Sequence, residues 1–240
     1  MIPFGYLTVV LTGILVILVS KALDALWVRM ITIRWAYLIM RAPGIVVHEC
    51  SHILGCLLTG AKVKNVVLLS KKGGSVTYAK PPVPFIGDVV INTAPLFCIP
   101  LVLYGCTWVF STYLGCSIPE LPAVINSFGA LDLMASQISE MFATNLVYYF
   151  NPWFLLYLYL TASLVLSLAP SRQDMKNAAL GIAIIVSAGL LVIWSNFAPA
   201  VTILDAITSV VGISFGIALG FSVIALVISL PLLVIFAHRN

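Results

Sequence analysis

Charge is what this sequence has least of. Asp, Glu, Lys and Arg make up 8% of its 240 residues, against about a quarter in a soluble domain. With 62% hydrophobic residues gathered into long apolar runs, that scarcity excludes a water-soluble domain. No polar stretch is long enough to house a second domain, so residues 1–240 read as a single integral membrane domain. The net charge of +4 is not a nucleic-acid footprint. Its basic residues form short clusters between apolar runs, as cytoplasmic loops do. The five cysteines (Cys50, Cys56, Cys98, Cys106, Cys116) lack metal-ligand spacing. They read as small apolar fillers rather than disulfides or ligands. There is no longer internal repeat and no low-complexity segment. A basic n-region and a small-residue cleavage site are also missing, so 2–19 reads as a retained first transmembrane helix.

Histidine is scarce as well, with three in the chain, and acids number eight. Yet two histidines and one acid fall within His48-Glu49-Cys50-Ser51-His52, inside an apolar run. On a helix, His48 and His52 share one face a turn apart. Two imidazoles at that spacing can close on one Zn²⁺, with Glu49 beside them to take a proton from water. A pentapeptide match also arises by chance on a solvated helix face. This face is apolar, and ionisable groups at membrane depth are costly and usually functional.

The expected architecture is an all-α polytopic membrane protein of about six transmembrane helices. After the first span, 26–40 is interrupted by Arg29 and Arg34 and either crosses or lies in the interface. The HECSH helix is placed at 43–59, about 25 Å long, with Pro43 in its first turn and Gly60 ending it. Gly55 and Thr59 continue the histidine stripe, leaving room for another backbone or water to approach. Residues 61–78 read as a small β-hairpin turning at Lys71-Lys72-Gly73-Gly74, and the five lysines from Lys62 to Lys80 make it cytoplasmic. Further spans are expected at 86–112, 152–169, 178–197 and 207–237, with 113–149 extracytoplasmic and partly a surface helix. Basic residues place the turn at 170–176 and His238-Arg239 on the cytoplasmic side too. The N-terminal clusters fit less well: either 26–40 crosses, or the HECSH helix is re-entrant. Gly212, Gly216 and Gly220 predict close helix packing in the last span.

Catalytic zinc usually takes three protein ligands. His238 lies near the C-terminus, and Glu120, Asp132, Glu140 and Asp205 fall in segments assigned outside. Asp88 and Asp174 remain, both near cytoplasmic ends of spans. Each has a plain alternative role: Asp88 as an N-terminal helix charge, and Asp174 with Ser171 as a capping box.

An H-E-x-x-H in a transmembrane helix, then a β-hairpin, a proline-bearing span and a later Asp resembles the site-2 protease family of intramembrane zinc metalloproteases. The resemblance covers 43–197, the implied catalytic core, and its specific part is HECSH. In that family the third ligand is a downstream Asp in a Leu-Asp-Gly setting, absent here. Pro170-Ser171-Arg172-Gln173-Asp174 resembles the substitute in small divergent members, which implies His48, His52 and Asp174 as zinc ligands and Glu49 as the catalytic residue. The expected function is a zinc-dependent intramembrane endopeptidase of a cell membrane, acting on membrane-protein substrates within the lipid bilayer. The alternative is a non-proteolytic membrane protein that binds or transports a metal. A transporter needs no acid beside the first histidine, whereas a hydrolase does.

Overall fold

A computed structural model describes residues 4–31, 33–70, 73–119 and 128–237. The described α-helices are α1 (Phe4–Met30), α2 (Arg34–Thr59), α3 (Ile86–Tyr113), α4 (Phe128–Ala143), which runs on into a π-helical turn at Thr144–Tyr148, α5 (Pro152–Leu166), α6 (Arg172–Ser195) and α7 (Ala198–Ala237). A two-stranded antiparallel sheet, β1 (Val63–Val67) and β2 (Ser75–Tyr78), follows α2. It pairs Val63 with Tyr78 and Val67 with Ser75 across an irregularity at Lys64. Lys71 and Lys72 of the expected turn lie outside the described residues, as do Glu120 and His238-Arg239. Five of these helices (α1, α2, α3, α6 and α7) are long and apolar enough to cross a membrane, and α5 is a shorter apolar helix. Among the described residues, five helices therefore meet the length a crossing needs, against the six or so expected. Outward faces are apolar, as at Leu58 and Leu101, which suits an integral membrane protein.

The segment 26–40 is not one element. It divides between the last turn of α1, which ends at Met30, and the first turns of α2, which begins at Arg34. The HECSH helix therefore begins at Arg34, and its 26 residues reach about 39 Å, more than the roughly 30 Å hydrocarbon core. It has no need to be re-entrant. Pro43 lies in its interior rather than in its first turn, and Gly60 closes it in the left-handed conformation at φ 71°.

An interior proline removes one helix hydrogen bond and leaves the carbonyl four residues earlier unpaired. Here that carbonyl is Ile39, and the Tyr159 hydroxyl of α5 donates to it at 2.7 Å. One turn on, the Gly44 N–H donates to Ser163 Oγ at 2.9 Å. A Cβ at Gly44 would overlap the Ser163 carbonyl, so only glycine lets the helices close this far. Tyr159, Ser163 and Ser167 recur every fourth residue and so face α2 along one stripe. Tyr159→Phe is expected to cost about 1–3 kcal/mol of stability by orphaning the Ile39 carbonyl. Thermal unfolding in detergent checks this, and an unchanged midpoint means that something else satisfies Ile39.

Named contacts also fix helix directions. α2 and α5 advance together, since Ile39, Gly44 and His48 meet Tyr159, Ser163 and Ser167 in order. α3 returns antiparallel, with Ile91 against Gly55 and Gly87 against Thr59. α6 meets α3 in reverse order, Asn177 at Asn92 and Gly181 at Val89 and Phe85, so it runs in the sense of α2 and α5. The chain does not fold back at 170–176, as a cytoplasmic turn between opposed spans would. α5 and α6 are two helices in series, interrupted beside His48. α1 runs against α2, and α7 runs with α1, as Gly13 meets Phe215 and Trp27 donates to Ser229. The C-terminal end of α7 consequently lies away from the hairpin, not beside it. Val9 closes on Gly212 where the glycine pattern predicts tight packing.

Candidate metal centre

The interruption between α5 and α6 opens directly onto the HECSH face of α2. His48, Glu49 and His52 are all buried, the histidines at 9% and 5% exposure. His48 Nδ1 is 2.6 Å from the Ser167 carbonyl, and His52 Nδ1 is 2.8 Å from the Ile91 carbonyl. A carbonyl only accepts, so each Nδ1 carries the proton and donates it. Both Nε2 atoms are then lone pairs, and they stand 3.1 Å apart. Two lone pairs facing each other across that distance repel unless a cation or a proton lies between them.

Asp174 supplies the matching charge. Its Oδ2 lies 3.7 Å from His48 Nε2 and 3.6 Å from His52 Nε2. Those separations are too long for hydrogen bonds. They suit ligand atoms across an ion, since two donors each about 2.0–2.1 Å from a tetrahedral centre stand about 3.3 Å apart. His48, His52 and Asp174 can therefore hold one metal ion, with all three ligand atoms within 4.8 Å of one another. The second contacts of both imidazoles are the kind that orient metal-binding histidines.

Asp174 also does what its alternative role requires. Its Oδ2 accepts from the Ser171 N–H at 2.7 Å, and the Asp174 N–H donates to Ser171 Oγ at 3.1 Å. The capping box and the ligand position coexist because the cap points the first turn of α6 at the histidines. Asp88, the rival, sits in the first turn of α3 and is not part of the group.

Glu49 is 7% exposed and makes no hydrogen bond to a described residue. Gly74, at the head of β2, lies against it. A Cβ there would come within 2.8 Å of Glu49 Cδ and Oε1, so the hairpin closes over the acid only because residue 74 is glycine. The hairpin is tied down beside the site by Tyr78, whose hydroxyl accepts from Asn92 Nδ2 at 2.7 Å. Burial pushes the Tyr78 phenol above its ordinary range, against the lowering effect of that hydrogen bond, so it stays neutral.

Reading the sequence missed four contributors. Asn92 is fully buried next to Ile91, bonding Tyr78, the Asp88 carbonyl and Asn177; an amide within an apolar span was the available signal. The Ser167 and Ile91 carbonyls carry no side-chain signature at all. Ser20 of α1 brackets the interruption, donating to the Val165 carbonyl at 2.7 Å and accepting from the Ala169 N–H at 3.0 Å. In comparisons with known proteins, no family model, no curated protein and no solved structure matches this chain.

Proposed function

We propose that this chain is a zinc-dependent endopeptidase of a cell membrane that hydrolyses peptide bonds of membrane-embedded proteins, as the site-2 protease family it resembles does. One observation carries the reading: both Nε2 lone pairs converge with the Asp174 carboxylate, while Glu49 lies buried beside them. His48, His52 and Asp174 would hold the ion. Zinc bound there supplies a Lewis acid that polarises a carbonyl and makes nearby water more acidic. Glu49 accepts a proton from the attacking water and delivers it to the leaving amine, as the new C–O bond forms and the C–N bond breaks. Burial of Glu49 beneath Gly74 keeps bulk water from competing for that proton.

The substrate must present an extended peptide, because a helix locks its peptide bonds in hydrogen bonds. The sheet of β1 and β2 has an open outer edge at Val63–Val67, on which an unwound substrate can add as a strand. The lysines flanking that edge support a cytoplasmic position for it. The partners are thus a membrane-protein substrate and the bilayer, with no nucleic acid.

The test is metal content. Protein purified in detergent without chelators is expected to carry about one Zn²⁺ per chain, and His48→Ala is expected to carry none. Wild-type protein that holds no metal and takes up none on addition of Zn²⁺ rejects the catalytic reading.

A further inference from the structure

We propose that Arg41 is a positioning residue for the candidate metal centre, holding the end of α5 so that the Ser167 carbonyl meets His48. Arg41 stands on α2, two turns before His48. Its Nη1 lies 3.3 Å from Asp24 Oδ1 of α1 and donates to the Tyr37 hydroxyl at 3.1 Å, and that hydroxyl in turn donates to Asp24. Its Nη2 reaches the other way, to the Leu166 carbonyl at 3.3 Å and Ser167 Oγ at 3.5 Å. One planar guanidinium therefore joins α1, α2 and α5.

The place it grips matters. The last carbonyls of a helix lack partners within it, and a cation there is favoured by the helix dipole. Leu166 and Ser167 offer adjacent carbonyls: the first accepts from Arg41 and the second from His48. Fixing the first fixes the peptide plane that carries toward the second. Ser20 already holds Val165 and Ala169, and the Ser167 N–H donates to the Leu164 carbonyl at 3.1 Å, which leaves the Leu166 carbonyl to Arg41. Tying α1 to α2 would need only Nη1, and a part-buried arginine whose Nε has no hydrogen-bond partner among the described residues is costly to keep for that alone.

The functional meaning rests on the zinc reading, but the test has a readout that needs no metal. The chain has three histidines, so ¹⁵N-histidine labelling of the metal-free protein in detergent gives a simple imidazole spectrum. His52, held by Ile91 on α3, is the internal control. In Arg41→Gln, the His48 Nδ1 proton is expected to exchange roughly five- to tenfold faster, as for the loss of one hydrogen bond, with His52 unchanged. Zn²⁺ affinity is expected to fall about 10–100-fold, as for other groups that orient a metal-binding histidine. Because Arg41→Gln strands the Asp24 carboxylate and can unfold the protein, Arg41→Lys is the second variant. It keeps a charge for Asp24 but not the fork that spans to Leu166, and the same selective change at His48 is expected. A wild-type His48 signal in folded Arg41→Lys overturns the proposal, and so does equal loss at both histidines. If wild-type protein binds no zinc while the His48 effect is seen, the proposed function fails and the positioning role stands.

Discussion

Glu49→Gln is expected to lower the rate of substrate hydrolysis by about 10²–10⁴-fold, the usual contribution of a general base, with the metal retained. The amide has nearly the same volume as the acid, which matters under Gly74, where the hairpin backbone leaves no room for a larger group. No hydrogen bond to a described residue is lost in the exchange, because Glu49 makes none. The substitution therefore removes the ability to accept a proton and little else. Single-turnover cleavage of a reconstituted membrane substrate, with zinc measured on the same sample, checks it. Cleavage at the wild-type rate removes Glu49 from the reaction. Loss of zinc along with activity would instead show that Glu49 supports the ligands.

The elements were largely readable from composition and period. Apolar runs marked the long helices, and the β-branched stretch before Gly73-Gly74 marked the hairpin that forms. The histidine pair and Asp174 were also readable, and the structure brings those three together. What could not be read was direction. Pro170 and Ser171 signal a break and a cap, and they do so equally for a chain that turns back and for one that continues. Only tertiary partners, Asn177 at Asn92 and Gly181 at Phe85, separate the two. The start of α2 failed for a related reason. Pro43 suits a first turn by itself, and its tolerance in the interior depends on Tyr159, 116 positions away (159 − 43). Backbone groups that aim the histidines were invisible, because any residue can offer a carbonyl.

The two roles of Asp174 make the second large effect separable. Asp174→Ala removes a ligand carboxylate and one half of a helix cap together, so its loss of metal alone does not say which role mattered. Asp174→Asn keeps an oxygen able to accept from the Ser171 N–H but has no charge to offer an ion. It is expected to stay folded and to lose zinc, with affinity falling by more than the roughly 100-fold upper range for groups outside the ligand shell. Ser171→Ala makes the opposite cut. It removes the hydroxyl that accepts from the Asp174 N–H, costs about 0.5–2 kcal/mol of stability, and is expected to keep its zinc. Asp88→Ala, in the first turn of α3 and outside the cluster, is expected to keep zinc as well. Competition with a chromogenic chelator, run beside thermal unfolding, reads both quantities on each variant. If Asp88→Ala loses the metal and Asp174→Asn keeps it, the third ligand belongs to α3 and Asp174 is a cap alone.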